Sequence, residues 1–559
     1  MFKLSAKVKK GNAIIATTDF DNNNFTFELE QGDGFIKGVI KAKKDMTMKE
    51  FKLTCDRVFD NDDIFFANGY QSWTTTREYS KYNVCKSINP IANNIGGFVK
   101  NICAFYSDYN WEDNYNKIGC FHSYTYTYFR KKGSRDITLY ASKSERQGWT
   151  SFMVDMQNNL FTIKKDIDGL VLSAGQEYPV FDIVVINDQF DNAFDKYFFD
   201  VLGVKKPRVD HLAGYTSWYN YFAKINEDII IRDLNGLDEA KECTDIFQID
   251  DGYQAATGDW LITDKTKFPR GMKYIADQIH AKGYKAGIWL APFCAQRTSK
   301  VAKEHPDWLI TDSKGKKIMG QMGWGGSYIL DIYNPEARAY IKEFFDVILN
   351  DWGYDMVKLD FLYTQCLYPR AGKTRGEIMC DAVDFLREAC GDKLILGCGV
   401  PLGACMGIFD ACRIGCDVDK DWVMPILRKF NVNNETPSAP NSITNAIFRN
   451  HLDGRAFCND PDVFFLRDIN TSFTKEQKLL LGKINAVCGN VLFVSDNVGG
   501  YTPEAMDYLK DFFDNKDYKI KSVEYVGVDT VQLDFCENGV DKSLELNIKT
   551  GESNIYDVL

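Results

Sequence analysis

Histidine is scarce in this chain: His122, His211, His280, His305 and His451 are the only five in 559 residues, and they are scattered without ligand spacing. That argues against transition-metal sites and leaves an all-carboxylate Mg²⁺ site as the remaining metal option. No Lys/Arg-rich stripe runs along any segment, and 67 basic residues stand against 78 acidic ones, a formal charge of -11. Nucleic acid and anionic membrane are therefore not expected as partners. No stretch approaches the roughly eighteen uncharged apolar residues that suggest a membrane span. Charge breaks the segment Met1 to Lys10 every few residues, so the apolar core of a signal peptide is missing and a cytoplasmic location is expected. The sixteen cysteines form no CxxC…CxxC pattern, and several adjoin apolar residues, as Cys380 follows Ile378 and Met379, which reads as buried, reduced thiols. Walker A, strand-to-helix GxGxxG and GxSxG motifs are missing, and Gly323-Trp324-Gly325-Gly326 is too loose to cradle phosphate by itself. There is no internal repeat and no low-complexity tract.

A chain of this length exceeds what one core organises, so two or three domains are expected. Up to about residue 205, short runs rich in Phe, Tyr, Val, Ile and Thr, such as Ser123 to Phe129 and Tyr178 to Ile186, alternate with Asn, Asp and Gly, and no long amphipathic helix is evident. That texture predicts an N-terminal β-sandwich over 1–205. A break falls at Val204 to Arg208, after which apolar runs alternate with helix-like segments. Eight candidate strands can be counted there: Leu212 to Trp218, Asp245 to Asp250, Lys285 to Ala291, Asp355 to Asp360, Lys393 to Cys398, Ala411 to Cys416, Arg455 to Asn459 and Val491 to Ser495. Helical stretches such as Gly271 to Ala281, Pro335 to Asn350, Glu377 to Ala389, Ser442 to His451 and Lys475 to Val487 lie between them. The reading is a multidomain α/β protein: a central (β/α)₈ TIM barrel over 206–516, then a small C-terminal antiparallel β-domain over 517–559.

In such a barrel the reactive residues stand at the C-terminal ends of strands. The second candidate strand ends in Asp250-Asp251, the fourth in Asp360 after Lys358, the sixth in Asp417 after Arg413, the seventh in Asn459-Asp460 and the eighth in Asp496. Any one could equally be the N-cap of a helix in a βα loop; their accumulation on one face is the stronger observation. A carboxylate beside Lys358 would stay ionised and could attack carbon, while a second carboxyl nearby could hold a proton for a leaving oxygen. That division of labour describes a retaining glycosidase, whose two carboxyl groups stand about 5 to 5.5 Å apart. Aromatics are the second clue: Trp218 and Tyr219 close the first strand, Trp289 lies in the third, and Trp73 follows the turn signal Asn68-Gly69. Each could be a core residue or a face on which a sugar stacks.

These residues resemble glycoside hydrolase family 36, the α-galactosidase family, which is related to families 27 and 31. The resemblance runs from Asn68-Gly69-Tyr70-Gln71-Ser72-Trp73 to Phe457-Cys458-Asn459-Asp460-Pro461-Asp462. Its most specific stretches are Phe247 to Tyr253, Gly287 to Phe293, Val357 to Phe361 and Arg413 to Asp417. The resemblance implies that Asp360 is the nucleophile and Asp417 the acid/base. It implies that Asp250 and Asp251 hold the C4 and C6 hydroxyls, that Lys358 binds O3 and O4, and that Arg413 lies near O2. It further implies that Trp73 reaches the rim, Trp218 and Trp289 line the pocket, and Cys398-Gly399 close its floor. Longer members often carry an aromatic before the nucleophile and Asn two residues after it, where this chain has Leu359 and Leu362. The chain is similar to the shorter members, so the tetramer of longer ones is not carried over and the oligomeric state stays open.

The expectation is thus a cofactor-free exo-acting α-galactosidase that takes α-galactoside oligosaccharides such as the raffinose or melibiose types. An α-N-acetylgalactosaminidase and an inactive galactoside-binding protein on the same scaffold are the alternatives.

Overall fold

The computed structural model describes residues 2–10, 13–87, 107–423 and 437–559. The N-terminal part is two seven-stranded antiparallel sheets. Alternation of apolar and polar residues turns one face of each sheet inward, as in Phe35–Ala42 and Met46–Asp56. Phe51 of one sheet meets Phe27 and Phe181 of the other, with ring centroids 4.6 and 5.8 Å apart, so the two inner faces interdigitate. The run Ser123 to Phe129 forms parts of two strands, Cys120–Tyr124 and Tyr126–Lys131, one in each sheet. Thr125 between them has φ 69, a conformation costly for a β-branched residue, and this kink carries the chain across the sandwich.

One expectation here needs correction. A helix does occur in the N-terminal part: Phe190–Asp195 continues as a wider-wound turn over Lys196–Val201. Ala193, Phe194, Tyr197 and Phe198, spaced three and four apart, are buried. The helical period is present, but it lies directly against the long strand Glu177–Gln189 and is overshadowed by its texture.

The central part is one parallel sheet with strands β1 (Leu212–Thr216), β2 (Ile246–Ile249), β3 (Lys285–Leu290), β4 (Met356–Leu359), β5 (Leu394–Gly397), β6 (Ala411–Arg413), β7 (Cys458–Asp460), β8 (Val463–Phe464) and β9 (Val491–Val494). Neighbours run β7-β6-β5-β4-β3-β2-β1-β9-β8, every pair parallel. The two outer members, β7 and β8, are separated in sequence only by Pro461 and Asp462, which gives the sheet a barrel-like course. The predicted strand Arg455 to Asn459 is therefore displaced: pairing starts at Cys458 and is interrupted at Pro461, which has no N–H to donate. Between β3 and β4 the chain inserts a three-stranded antiparallel sheet, Cys294–Gln296, Ser327–Ile329 and Met319–Gln321, that the sequence reading did not foresee.

Three antiparallel strands, Tyr518–Tyr525, Thr530–Glu537 and Val540–Asn547, end the chain. They bury Val531, Leu533, Phe535, Leu544 and Leu546, and a buried ion pair joins Lys483 to Glu537 at 2.8 Å. Among the described residues no helix is long and apolar enough to cross a membrane.

Candidate active site

The site begins where β2 ends. The Asp250 carboxylate accepts from Gln248 Nε2 at 2.8 Å, pairs with Lys358 Nζ of β4 at 3.0 Å and accepts the Asp251 N–H at 2.9 Å. Both members of the pair are buried, so the attraction is scarcely screened. Burial works against the Lys358 charge, but Asp250, helped by Cys398 and Asp360, outweighs it and the Lys358 pKa is raised. Asp251 accepts from Gln254 Nε2 at 2.6 Å and from Trp324 Nε1 at 2.8 Å. Burial pushes its carboxyl up; those two donors oppose the shift, and Asp250 and Asp360 add to it.

Asp360 follows β4 directly. Its Oδ2 accepts the Trp289 indole N–H at 3.0 Å and its Oδ1 the Phe361 N–H at 2.7 Å. Burial raises the Asp360 pKa; Lys358, the Trp289 donor and the Cys398 thiol pull it down, and Asp417 pushes it up. One cation and fixed donors thus oppose the burial that raises this carboxyl, and the charge on Asp417 adds to the rise.

Rings wall this carboxylate. Trp289 meets Trp324 edge-on at 5.9 Å, Trp324 meets Phe361 at 5.3 Å, and Phe361 meets Trp73 at 5.5 Å. Trp73 comes from the N-terminal sheets, and its ring packs so closely on Gly399 that a Cβ there would stand 2.9 Å from it. Cys398 and Gly399 thus lie against Asp360 and Trp73. Trp218 opens the short helix Trp218–Tyr221, and its ring meets Phe222 at 5.2 Å.

Opposite, at the end of β6, Arg413 is fully buried. Its Nη2 pairs with Asp417 Oδ1 and with Asp462 Oδ2, both at 2.7 Å, and donates to the Tyr219 hydroxyl at 3.0 Å. Asp417 keeps 41% of its side-chain surface exposed, whereas Asp462 keeps 3%. The site thus offers two half-buried carboxyls, Asp360 after β4 and Asp417 beyond β6, each held by fixed polar groups.

Trp324, Phe361 and Asp462 belong to this constellation and were not singled out from sequence, while Tyr219, noted there as an aromatic, enters it through its hydroxyl. Asp496 goes the other way: Arg467 Nη1 at 2.5 Å, the Tyr501 hydroxyl at 2.5 Å and two backbone N–H groups occupy it, so it ties loops together. Among the described residues no His, Cys, Asp and Glu side chains gather into a group that could hold a metal ion.

Residues 216–379 match the melibiase family model. Over 152 residues the chain is 30% identical to α-galactosidase Mel36A of Lactobacillus acidophilus, a stretch covering 26% of this chain and 20% of that enzyme. The chain thus spans, in matched sequence, about a fifth of that relative. The solved α-galactosidase TtGalA from Thermus thermophilus, in complex with p-nitrophenyl α-D-galactopyranoside, superimposes with TM-score 0.69 at 23% identity, over 96% of this chain and 98% of that one. The family 36 α-galactosidase AgaA from Geobacillus stearothermophilus gives TM-score 0.61 at 11% identity, over 97% of this chain and 80% of that one. At these identities the two structures establish a shared fold.

Proposed function

We propose that this chain, which carries a melibiase domain in the fold of family 36 glycoside hydrolases, is a retaining, exo-acting α-galactosidase. The observation that carries the reading is the pairing of two half-buried carboxyls, Asp360 after β4 and Asp417 beyond β6, close enough that Asp417 raises the Asp360 pKa. Asp360 attacks the anomeric carbon while Asp417 gives its proton to the glycosidic oxygen; water activated by the same Asp417 then releases galactose with its α configuration retained. We read β7 and β8 as one strand interrupted at Pro461, which makes the sheet a closed (β/α)₈ barrel with both carboxyls at its C-terminal face.

Asp250, Asp251 and Lys358 form a rigid charged cradle, suited to the C4, C6 and C3 hydroxyls of galactose. An axial O4 would point into this cradle, whereas the equatorial O4 of glucose would leave buried charge unsatisfied. Trp289, Trp324 and Trp73 supply faces for the sugar ring, and the substrates would be α-galactoside oligosaccharides.

Hydrolysis of p-nitrophenyl α-D-galactoside beside its α-GalNAc and α-glucoside analogues tests the reading. Turnover of the galactoside, with product of α configuration by NMR at early times, is expected. Turnover of only the GalNAc or glucose analogue would keep the mechanism and overturn the specificity. Binding of galactosides without turnover of any of them would make the chain a galactoside-binding protein.

A further inference from the structure

We propose that Asp462 is a positioning residue: by taking up the charge of Arg413 it keeps the proton of the acid/base on Asp417, an inference that rests on the acid/base reading of Asp417. The geometry is symmetric at the cation. One guanidinium nitrogen stands 2.7 Å from a carboxylate oxygen of each aspartate. It is not symmetric at the two carboxyls. Asp462 Oδ2 also accepts the Tyr219 hydroxyl at 2.5 Å and the Val418 N–H at 2.7 Å, whereas among the described residues Asp417 receives Arg413.

Charge balance does the rest. Arg413 and Asp462 are enclosed, and two ionised carboxyls beside one guanidinium leave an uncompensated negative charge. The neutral state of the trio carries one proton. Burial pushes the Asp462 carboxyl up to about 7 against the pull of Arg413, with Asp417 and Asp460 adding to the rise. The groups that face Asp462 are Arg413 and Asp417 from the β6 end, Tyr219 from the β1 end and Asp460 beside it. The three donors on Asp462 favour its ionised form and steer the proton to Asp417, where the leaving oxygen needs it.

The backbone is arranged for this contact. Asp462 has φ 79, and it holds that conformation with its N–H donating to Asp460 Oδ1 at 2.8 Å and its carbonyl accepting from Asn485 at 3.0 Å. The break between β7 and β8 is what turns its side chain onto Arg413 and onto the amide of Val418, next to Asp417.

Asp462→Asn tests the role, since Asn tolerates a positive φ. The readout is kcat/KM for melibiose, whose leaving group needs a proton, against 2,4-dinitrophenyl α-D-galactoside, whose leaving group does not. The variant should lose about 100-fold on melibiose, the scale of general acid catalysis, and under about 10-fold on the activated substrate. The basic limb of its melibiose pH profile should move to lower pH. Equal losses on both substrates with an unmoved limb would overturn the role. Tyr219→Phe, which removes one donor from Asp462, should show the same selectivity in smaller measure, and it carries the test if the Asn variant does not fold; a Tyr219→Phe without selectivity would then overturn the role. Asp417→Ala is the reference: if it is not selective, the acid/base assignment falls and this role with it; if it is selective and Asp462→Asn is not, only the positioning role falls.

Discussion

At the scale of single residues, each carboxylate is defined by its donors. Asp251 has two side-chain donors, and one of them, Trp324, reaches across 73 positions of sequence to it. Trp324 has φ 55, a strained conformation for a non-glycine, and the Asp251 bond with the rings of Trp289 and Phe361 holds it there. Trp324→Phe keeps a ring and removes the donor. A hydrogen bond to a charged group contributes about 1.5–3 kcal/mol, so KM for an α-galactoside should rise roughly tenfold or more with little change in melting temperature. An unchanged KM would contradict the role given to this indole.

Glu145, in the N-terminal sheets, gives a residue-scale pH prediction. It is buried, accepts the Thr150 N–H at 2.6 Å and is pushed up to about 7 by burial, with Lys165 opposing. Its folded pKa thus lies above that of the unfolded chain. The native state holds a proton that the unfolded state releases, so this contribution to stability is full below about pH 4.3 and is lost as pH rises through about 7. Glu145→Gln should remove that loss, worth on the order of 3 kcal/mol. Thermal melts should show the variant gaining on the wild type at pH 8 relative to pH 5. A gap that does not change with pH would contradict the argument.

At the scale of elements, the loops at the strand ends make the site. Gly399, after β5, has φ 56, and a Cβ there would stand 2.9 Å from the Trp73 ring and 3.2 Å from the Phe361 nitrogen. Gly399→Ala would combine left-handed strain of about 1–2 kcal/mol with displacement of Trp73 from the wall beside Asp360. Kinetics and melts of this variant should show kcat/KM about tenfold lower and a lower melting temperature; activity at the wild-type level would mean that the Trp73 contact is dispensable.

The parallel strands were legible because strands covered on both faces read as continuous apolar runs, and β1 to β6 and β9 lie within the runs picked out from sequence. The run Arg455 to Asn459 misplaced its strand because the apolar pair Ala456-Phe457 is buried outside the pairing, and Pro461 then splits the pairing segment into β7 and β8. Asp250, Asp360, Lys358 and Arg413 could be picked out as strand-end charges. Trp324 could not, since Gly-Trp-Gly-Gly carries no period and its partner lies far away in sequence. Asp462 was hidden behind a proline, past the strand end that Asp460 marks.

At the scale of the whole molecule, the sheets of the first part are bolted to the barrel-like sheet by buried arginines. Arg449 donates to the carbonyls of Gly69, Gln71 and Ser72 in the turn that carries Trp73, and to that of Ile414 beside Arg413. Arg375 pairs with Asp166 at 2.7 Å, donates to the Tyr70 hydroxyl at 2.9 Å and lies 3.4 Å over the Trp111 ring. Arg449→Met leaves several buried carbonyls without a donor at about 1–3 kcal/mol each, so denaturant unfolding should show a loss of about 3 kcal/mol or more. Activity should fall with it, because the same turn aims Trp73; a stable but inactive variant and an unstable but active one would both contradict this coupling.

The central claim is that Asp360 is the nucleophile, and azide rescue of Asp360→Gly tests it most directly. With the carboxylate gone, azide enters from the face that Asp360 occupied, and the account predicts restored cleavage of p-nitrophenyl α-D-galactoside with β-galactosyl azide as the product. Formation of α-galactosyl azide, or no rescue in a folded variant, would contradict the assignment.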